Sequence, residues 1–432
     1  MTFVSIRVGN EEKENMSKDS KVRILMCGGA LKGNMGAPAM YDSIIDEMSK
    51  HIPEPEVTVL SKYPNDDKEE CTNRGYRMIA FPTIRQLIDG GCFFVFGGFL
   101  KLLHLPFHWL AKKNAALEAY FSNDILIDAS GISFTDDRSF SNILINTLWF
   151  LPAIVSGIPM VKMSQSMGPF EKGYVKSLGR LVLNRLDFIV CRGDRSYELT
   201  KAFLKKKNIY NLPDTAFCLK PAEDRERLLN NYGLAEGEYI AVGPSFVMRD
   251  YFEKGVYSDI VSNALNRITE LTDRKLLFVP HSWIHSAQLG ADSVNDDLTV
   301  CREVASKLDR KDYVIISDEM SARQLKAMIS GAYMAIGSRY HFLIAALSSG
   351  VPSMALGWSH KYRELFKEFG IDEYVLEYSG MDLAVVQSMA EKLFAHRDEV
   401  KEKIDENLDD VKQRSAMNEK LVVELLEKKG LL

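Results

Sequence analysis

The 432-residue sequence has few of the features of exported, metal-binding or nucleic-acid-binding proteins. Its six cysteines are scattered and none belongs to a CxxC pair, so the sequence signals neither a zinc site nor a disulfide framework. Residues 1–20 are polar and lack the apolar core of a secretory signal, and we expect them to form a disordered arm. The net charge of −5 argues against broad nucleic-acid binding, which needs a basic surface. These absences favour a cytoplasmic protein with reduced thiols.

A long uninterrupted apolar run is also missing. The most apolar stretch, Ile88 to Ala111, is broken by Lys101, His104 and Pro106, whereas a membrane-spanning helix needs about 20 mostly apolar residues. Two interpretations of this stretch remain. The pattern favours a helix buried beneath a sheet. The alternative is an apolar surface over residues 93–110 that rests on the inner face of a membrane.

No general phosphate-binding motif is present either. The glycines at positions 28, 29, 33 and 36 follow a predicted strand, but their spacing matches neither GxGxxG nor a Walker A loop. Glycines at this place let a backbone approach a ligand closely, and they equally suit a flexible turn. Spacing alone does not separate these two interpretations.

The sequence does contain a repeated alternation of short apolar strands and helical patterns, with polar loops after the strands. This alternation predicts an α/β fold with two Rossmann-like domains that face each other across a cleft. The polar segment Lys220 to Glu238 marks the linker between them. We expect an N-terminal domain over residues 21–221 and a C-terminal domain over residues 222–380. Residues 381–432 are charged and helix-forming, and we expect helices there that pack across both domains.

The segment Ala332 to Lys361 carries the clearest site signal. A short apolar strand ends at Gly337, Ser338 stands where a helix N-cap belongs, and the helix continues from Tyr340 to Leu347. Strand-to-helix turns at the carboxyl edge of a parallel sheet bind ligands in open α/β folds, and their free amides favour anions. The sequence places Arg339 and His341 at this turn, which predicts a site for a negatively charged substrate.

Other histidines are weaker candidates. His281 follows a predicted strand of the same domain and could carry protons, contact an acceptor, or simply pack or cap a helix. His285 and His360 lie nearby in sequence. His104 and His108 have the spacing of two metal ligands on one helix face, but no third ligand follows, so we assign no metal site.

Several polar side chains follow strands of the N-terminal domain. Short amides, hydroxyls and carboxylates at such positions suit sugar hydroxyls, although the same residues commonly cap helices. Candidates for such sugar contacts are Asn34, Asp136, Asp137, Ser164 and Gln165, together with Gly36 in the same loop as Asn34.

These motifs, in this order, resemble the polysaccharide pyruvyl transferase family. The matching pieces run from the first strand to Lys361 and include the Asn-x-Gly loop at 34–36, the acidic pair at 136–137, QSMGPF at 165–170, Arg192 with Ser196, the segment 214–217, Pro280-His281 and SRYH at 338–341. The sequence departs from the family pattern at Ala37, at Ser130-Gly131 and at Gly193. These departures concern the N-terminal loops and the acceptor more than the donor.

The resemblance implies an enzyme with a GT-B-like fold that moves the enolpyruvyl unit of phosphoenolpyruvate onto a sugar, usually as a cyclic pyruvate ketal. It implies no cofactor beyond this donor substrate, and an acceptor that is often carried on a polyprenyl lipid. Catalysis would then depend on His341, Arg339 and His281. The acceptor would lie on the N-terminal loops, at Asn34, Gly36, Asp136, Asp137, Ser164 and Gln165. The donor would be held by Arg192, Arg339, Ser338, Tyr340, His341 and Lys361, although Lys361 could equally be an ordinary solvated lysine.

Two other functions remain open at this stage. A glycosyltransferase of the same architecture could hold the diphosphate of a nucleotide-sugar at the same helix N-terminus and Arg339. A non-catalytic family member could instead bind an anionic glycan or organise a glycan-assembly complex.

Overall fold

The computed structural model describes residues 21–283 and 295–432. The expected disordered arm over residues 1–20 lies outside the described residues, and so does His285. The described chain contains two parallel sheets, each flanked by helices.

The first sheet has seven strands in the order β3-β2-β1-β4-β5-β6-β7. Neighbouring strands are parallel throughout, as expected for strands joined by helical crossovers. Its strands are β1 (Arg23–Cys27), β2 (Glu56–Ser61), β3 (Arg77–Ala80), β4 (Ile125–Asp128), β5 (Met160–Gln165), β6 (Phe188–Cys191) and β7 (Ile209–Asn211).

Nine helices accompany this sheet in the described part of the chain. They are α1 (Gly36–Met48), α2 (Pro64–Asn73), α3 (Thr83–Arg85), α4 (Gly91–Leu102), α5 (Ala115–Ser122), α6 (Phe140–Leu148), α7 (Leu151–Ser156), α8 (Gly173–Leu183) and α9 (Asp194–Leu204). A π-helical turn over Gln86–Gly90 joins α3 to α4, and a 3-10 turn over His108–Leu110 precedes α5.

The second sheet has six parallel strands in the order β10-β9-β8-β11-β12-β13. Its strands are β8 (Tyr239–Gly243), β9 (Lys275–Phe278), β10 (Tyr313–Ile315), β11 (Met334–Gly337), β12 (Ser353–Gly357) and β13 (Val375–Glu377). The helices that follow are α10 (Arg225–Asn231), α11 (Phe246–Arg249), α12 (Val256–Leu271), α13 (Asp297–Ser306), α14 (Ala322–Ser330), α15 (Tyr340–Leu347), α16 (Lys361–Lys367), α17 (Leu383–Ala395) and α18 (Arg397–Lys428).

The central strands have continuous apolar sequences because helices cover both faces of each sheet. Strands β1, β4 and β8, for example, are almost entirely buried. Parallel pairing also brings all the carboxyl ends of a sheet to one edge. Short 3-10 turns at Thr215–Cys218, Asp372–Tyr374 and Tyr378–Gly380 complete the regular structure of the described residues.

The last helix, α18, joins the two halves of the molecule. Near its start, Val400, Ile404 and Val411 pack into the core of the second sheet. Near its end, Val422 and Leu426 pack into the core on one face of the first sheet. Helix α17, by contrast, packs against α12 beside the second sheet. Of the helices expected over residues 381–432, α18 is therefore the one that crosses between the domains.

The apolar stretch from Ile88 to Ala111 is not the buried helix that its pattern favours. Phe93 and Gly97 of α4 are buried, but Phe96, Phe99 and Leu102 are 63%, 59% and 76% exposed. One face of the helix packs on the domain and the other faces outward. Within residues 21–283 and 295–432, no helix combines the length and the apolar character needed to cross a membrane.

A buried ion pair lies within the first sheet, between Lys162 on β5 and Asp128 on β4. Both side chains are almost fully buried, and the ammonium group lies 4.8 Å from the ring centroid of Phe150. Ser130 also donates to the Asp128 carboxylate from its amide and its hydroxyl, at 2.9 and 2.6 Å. The pair therefore fixes the loop that follows β4.

Replacing Lys162 by Met should destabilise the protein by about 3–5 kcal/mol, because the Asp128 carboxylate would remain buried without its cation. Urea unfolding monitored by circular dichroism measures this change. The exposed Lys207 provides the control, and Lys207→Met should change stability by less than about 0.5 kcal/mol. Adding Asp128→Asn to Lys162→Met should recover part of the loss. Equal stability of the Lys162→Met and Lys207→Met proteins would contradict this account.

Candidate functional site at the domain cleft

The turn between β11 and α15 lies at the carboxyl edge of the second sheet. The helix begins at Tyr340 with Arg339 as its N-cap residue, so the expected N-cap at Ser338 is wrong by one position. The Ser338 hydroxyl instead shares a 2.7 Å hydrogen bond with the hydroxyl of Tyr257. Its carbonyl accepts a 2.9 Å hydrogen bond from Tyr362. Ser338 thus fixes the turn through both its hydroxyl and its carbonyl.

Arg339 is held by a buried carboxylate. Its Nε donates to both oxygens of Asp297 at 3.0 and 2.8 Å, and one terminal nitrogen donates to Oδ1 at 2.6 Å. Asp297 is fully buried at the start of α13, and it also accepts the backbone amides of Phe246 and His281. Arg339 makes no hydrogen bond through its other terminal nitrogen to any residue that the structure describes, so this edge can meet a ligand.

Arg192 provides a second buried cation from the other domain. Its guanidinium group donates to the Ser166 hydroxyl at 3.2 Å, to the carbonyl of Gly131 at 2.8 Å, and to the carboxylate of Asp214. It also lies 4.4 Å from the ring centroid of Tyr340, the first residue of α15. Arg192 therefore lies beside the first residue of α15, in the other domain.

Asp214 holds several parts of the cleft together. Besides Arg192, its carboxylate accepts the amide of Ala216 at 2.9 Å and so caps the 3-10 turn that follows. Its own carbonyl accepts a 2.7 Å hydrogen bond from Ser415 on α18. The crossing helix therefore supports the carboxylate that pairs with Arg192.

Lys361 is buried at the start of α16 rather than solvated. Its ammonium group lies 4.2 Å from the ring centroid of Trp358 and 5.4 Å from those of Tyr340 and Tyr362. No carboxylate of the described chain lies within salt-bridge distance of it. Burial, followed by the charges of Arg192 and other neighbouring arginines, lowers the pKa of Lys361 well below its usual range. Such a buried cation without a counter-charge is stabilised by an incoming anion.

His341 lies at the seam between the two domains. Its ring packs on Gly36 at the start of α1, where a Cβ atom would come 2.2 Å from Nδ1. Its Nε2 lies 3.7 Å from Oδ2 of Asp214 and makes no hydrogen bond within the described residues. Burial lowers the pKa of His341 to about 4, against the opposing effect of Asp214. The imidazole is therefore neutral at pH 7, and burial is the main cause.

His281 lies beside this site. It is 5% exposed, and burial followed by the charges of His341 and Arg339 lowers its pKa to about 3. Its carbonyl accepts the amide of Met35 at 3.0 Å, and Ser282 pairs with Asn34 in an antiparallel bridge. The Asn-x-Gly loop of the first domain is thus hydrogen-bonded to the loop after β9 in the second domain.

The polar loops of the N-terminal domain divide into two groups. Asn34 and Asp137 are exposed. Burial raises the pKa of Tyr251 and lowers that of His360, and the charge of Asp137 raises both to a smaller extent, so Asp137 lies near these two residues of the second domain. Asp136 accepts the amides of Glu171 and Lys172 at 2.7 and 3.0 Å and fixes the loop after β5.

Ser164 and Gln165 lie behind the site wall. Both are fully buried. The Ser164 hydroxyl accepts the amide of Thr215 at 3.0 Å, and Gln165 accepts hydrogen bonds from Ser133 and Lys162 at 2.6 and 3.3 Å. Gln165 faces inward because it accepts from the buried Lys162, whereas Ser164 faces inward because it accepts the amide of Thr215. In this structure they orient the loops and do not face the cleft.

Sequence reasoning missed two features of the site. Asp297 begins a helix and precedes Arg339 by 42 residues, so only the fold brings the two together. The second feature is an aromatic cluster in which Tyr251 lies 6.2 Å from Trp358 and 4.7 Å from Tyr378, between ring centroids. The only sequence signal for it was Trp358, which lies near the end of the segment Ala332 to Lys361.

The family departure at Gly193 has a structural cause. A Cβ atom there would come 2.3 Å from Oε2 of Glu364, and the residue has a φ of 88°, which favours glycine. Glu364 in turn accepts the amide of Arg195 at 2.8 Å, which links α16 to the start of α9 across the domains.

The two buried histidines should make stability depend on pH. Their pKa values are about 4 and about 3 in the folded state against an ordinary 6.5, so the unfolded state binds more protons as the pH falls. The stability contribution is complete above pH 6.5 and is lost below it, at up to about 1.4 kcal/mol per pH unit for each imidazole. Urea unfolding between about pH 7 and pH 5 should show this slope.

The double variant His281→Gln/His341→Gln should have a shallower slope over the same range. His396→Gln is the matched control, because His396 is exposed and should leave the slope unchanged. An unchanged slope in the double variant would contradict the assignment of neutral, buried imidazoles.

Comparison with known proteins shows relationships over nearly the whole chain. The chain is 23% identical to the amylovoran biosynthesis protein AmsJ of Erwinia amylovora, over 95% of this chain and 100% of that protein. Its fold is similar to MnaA of S. aureus in complex with UDP, with a TM-score of 0.60, 12% identity, and coverage of 95% of this chain and 98% of that one.

A second solved structure has the same architecture. The UDP-GlcNAc 2-epimerase from Neisseria meningitidis, bound to UDP-GlcNAc, has a TM-score of 0.59 and 10% identity over 94% of this chain and 100% of that one. At these identities the likeness shows the fold alone. It confirms the predicted class of two Rossmann-like domains in a GT-B-like arrangement.

Family assignment comes from the sequence. The family model described as polysaccharide pyruvyl transferase matches residues 34–360, which is well over half of the chain. The match includes every candidate cleft residue from Asn34 to His360 and stops just before Lys361. The chain therefore belongs to the polysaccharide pyruvyl transferase family, as the order of its motifs predicts.

Proposed function

We propose that this protein transfers the enolpyruvyl unit of phosphoenolpyruvate to a sugar and closes it into a cyclic pyruvate ketal during polysaccharide biosynthesis. Family membership supports pyruvyl transfer, and the likeness to AmsJ supports a role in building a polysaccharide. The identity of the donor and the formation of a ketal go beyond what family membership shows, and both are part of the proposal.

The observation that carries the proposal is the buried Lys361, which has no carboxylate partner among the described residues and stands beside Arg192 and Arg339. Each arginine already has one carboxylate partner, Asp214 or Asp297. The lysine is therefore the basic group without a salt-bridge partner, and a bound anion would favour its protonated form. Phosphoenolpyruvate carries a carboxylate and a phosphate on a small frame, and a cluster of fixed cations at a helix N-terminus matches this charge.

The reaction can be written with these groups. A proton adds to the methylene carbon of phosphoenolpyruvate, which makes C2 electrophilic. One sugar hydroxyl adds to C2 and loses its proton, and the C2–O bond to phosphate breaks. A second hydroxyl of the same sugar then adds to C2 and loses its proton, giving the ketal and inorganic phosphate. Arg192, Arg339 and Lys361 would hold the donor and stabilise the departing phosphate.

We assign the proton donor role to His341. In the free protein its pKa of about 4 keeps it neutral, whereas a bound phosphate next to the ring would favour the imidazolium form. The proton would therefore arrive with the donor. His281 is close enough to influence His341 electrostatically and is the candidate for a second proton carrier.

The acceptor is proposed to lie against the exposed part of the N-terminal loops. Asn34 and Asp137 offer an amide and a carboxylate that suit sugar hydroxyls. Gly36 is required for the packing of His341 rather than for a direct contact. The aromatic cluster of Tyr251, Trp358 and Tyr378 stands opposite Asp137 and offers ring faces for a sugar.

A nucleotide-sugar enzyme is the second candidate, because the solved structures of similar fold hold UDP or UDP-GlcNAc. A thermal-shift panel separates the two. Phosphoenolpyruvate should raise the melting temperature, and UDP, GDP and CMP should not. Stabilisation by a nucleotide alone would favour the second candidate. Binding of an anionic glycan without any turnover of phosphoenolpyruvate would favour a non-catalytic role.

The variant Lys361→Met should raise the KM for phosphoenolpyruvate by about 10- to 100-fold, because a charge-assisted hydrogen bond to the donor is lost. Phosphate release at varied donor concentration measures this effect. Lys367→Met, on the same helix but exposed, is the control and should retain the native KM. Equal KM values for the two variants would remove Lys361 from the donor site.

The variant His341→Gln should lower kcat by about 10²- to 10⁴-fold, the usual contribution of a general acid. The native kcat should fall as the pH rises through the pKa of the donor-bound imidazole, and the variant should lose this alkaline limb. A kcat profile identical to that of the native protein would reject the role of His341.

A further inference from the structure

One side of the N-terminal domain exposes a large apolar surface. Of the 21 large hydrophobic side chains that are exposed in the described part of the chain, ten lie between residues 84 and 109. Soluble monomers rarely expose apolar patches larger than a few hundred Å² without a partner. We call this set the apolar face: Ile84, Leu87, Ile88, Val95, Phe96, Phe99, Leu102, Leu103, Leu105 and Trp109.

Helical spacing explains how these side chains share one side. Residues 83–102 run continuously through α3, the π-helical turn and α4. Exposed positions recur at intervals of three, four and seven residues, at Ile84, Ile88, Val95, Phe99 and Leu102, which places them on one helical stripe. The loop after α4 extends the same surface with Leu105 and Trp109.

The opposite side of these helices is anchored to the domain. Gly97 allows α4 to approach α7, because a Cβ atom there would come 3.1 Å from Val155. Lys101 donates to the carbonyls of Ile154 and Val155 at 3.2 and 2.7 Å. His108 lies 2.9 Å from Glu118 of α5. The apolar face is therefore a fixed surface of a packed element and not a loose flap.

The charges around the apolar face are mostly positive. Residues 83–113 contain Arg85, Lys101, Lys112 and Lys113 but only one acidic residue, Asp89, a net charge of +3 in a chain whose net charge is −5. Asp89 accepts a 2.9 Å hydrogen bond from Asn114 and lies 3.6 Å from the guanidinium group of Arg85. Lys112 and Lys113 are exposed, and neither has a carboxylate partner within the described residues.

We propose that the apolar face docks on the surface of an anionic lipid bilayer. Aliphatic and aromatic side chains on one helical stripe, flanked by lysines and arginine, bind the boundary between headgroups and acyl chains and are strengthened by anionic lipid. A second copy of the chain fits less well, since pairing two copies of this face would bring together two surfaces whose residues 83–113 each carry a net charge of +3. This inference does not depend on which reaction the cleft performs.

Docking would also set the position of the cleft. Helix α3 begins at Thr83, directly after the carboxyl end of β3, so the stripe starts at the sheet edge that carries the site loops. Helix α6 begins just after the loop at Asp137 and packs against the π-helical turn. A bilayer on the apolar face therefore lies beside the acceptor loops, and the protein could act on a substrate held at a membrane surface.

Vesicle flotation tests the proposal. The native protein should float with vesicles of phosphatidylcholine and phosphatidylglycerol, and more weakly with phosphatidylcholine alone. The double variant Phe96→Glu/Phe99→Glu should lower the partition coefficient on the mixed vesicles by at least about tenfold. The control variant Leu383→Glu/Val385→Glu changes two exposed apolar residues on α17 and should bind vesicles as the native protein does.

The contribution of charge is tested by a third variant. Lys112→Glu/Lys113→Glu should remove most of the dependence of binding on phosphatidylglycerol.

Folding and self-association are measured on the same proteins. Circular dichroism and melting temperature should be equal for the two double-glutamate variants, and both should bind phosphoenolpyruvate alike in the thermal-shift panel. The proposal is overturned if the native protein floats with neither type of vesicle. It is also overturned if light scattering without lipid shows a dimer that Phe96→Glu/Phe99→Glu converts to a monomer, because the face would then serve a second copy.

Discussion

Positive charge buried at the seam between two domains is the constraint on which this structure depends. Moving a cation out of water costs several kcal/mol unless a counter-charge and hydrogen bonds replace the water. Asp214 and Asp297 provide that replacement for Arg192 and Arg339, and neither carboxylate is exposed. Lys361 has aromatic rings around its ammonium group and no salt bridge to a carboxylate of the described residues. The cleft therefore holds one basic group without a salt-bridge partner, and an anion is its natural complement.

The rest of the fold supports these charges. The crossing helix α18 donates from Ser415 to the carbonyl of Asp214, and the loop at Asn34 pairs with Ser282 across the seam. His341 packs on the glycine that begins α1. These contacts tie the first domain to the second domain and to the crossing helix. The geometry of the donor pocket therefore depends on how the two domains are held together. A change in the packing between the domains should therefore change the pKa of His341, which is low because the ring is buried.

Sequence patterns predicted much of this, because they report local structure well. The strand alternation gave two parallel sheets, and the turn at Arg339 and His341 appeared where the apolar run stops at Gly337. Partners that come from distant parts of the chain left no local signal, and Asp297 was missed for that reason. The polar Ser164 and Gln165 looked like cleft residues, but their hydrogen bonds to Thr215 and to the buried Lys162 turn them inward. The apolar stretch was ambiguous because composition does not reveal which side of a helix is covered.

The central claim is that the charged cleft holds phosphoenolpyruvate for transfer to a sugar. Mass spectrometry of acceptor glycans incubated with the protein and phosphoenolpyruvate, with parallel measurement of released phosphate, tests it most directly. The account predicts a glycan that gains one pyruvyl ketal for each phosphate released, and no gain when Arg339→Ala replaces the native protein. Release of phosphate without a modified glycan, or glycan modification that requires a nucleotide-sugar instead, would contradict it.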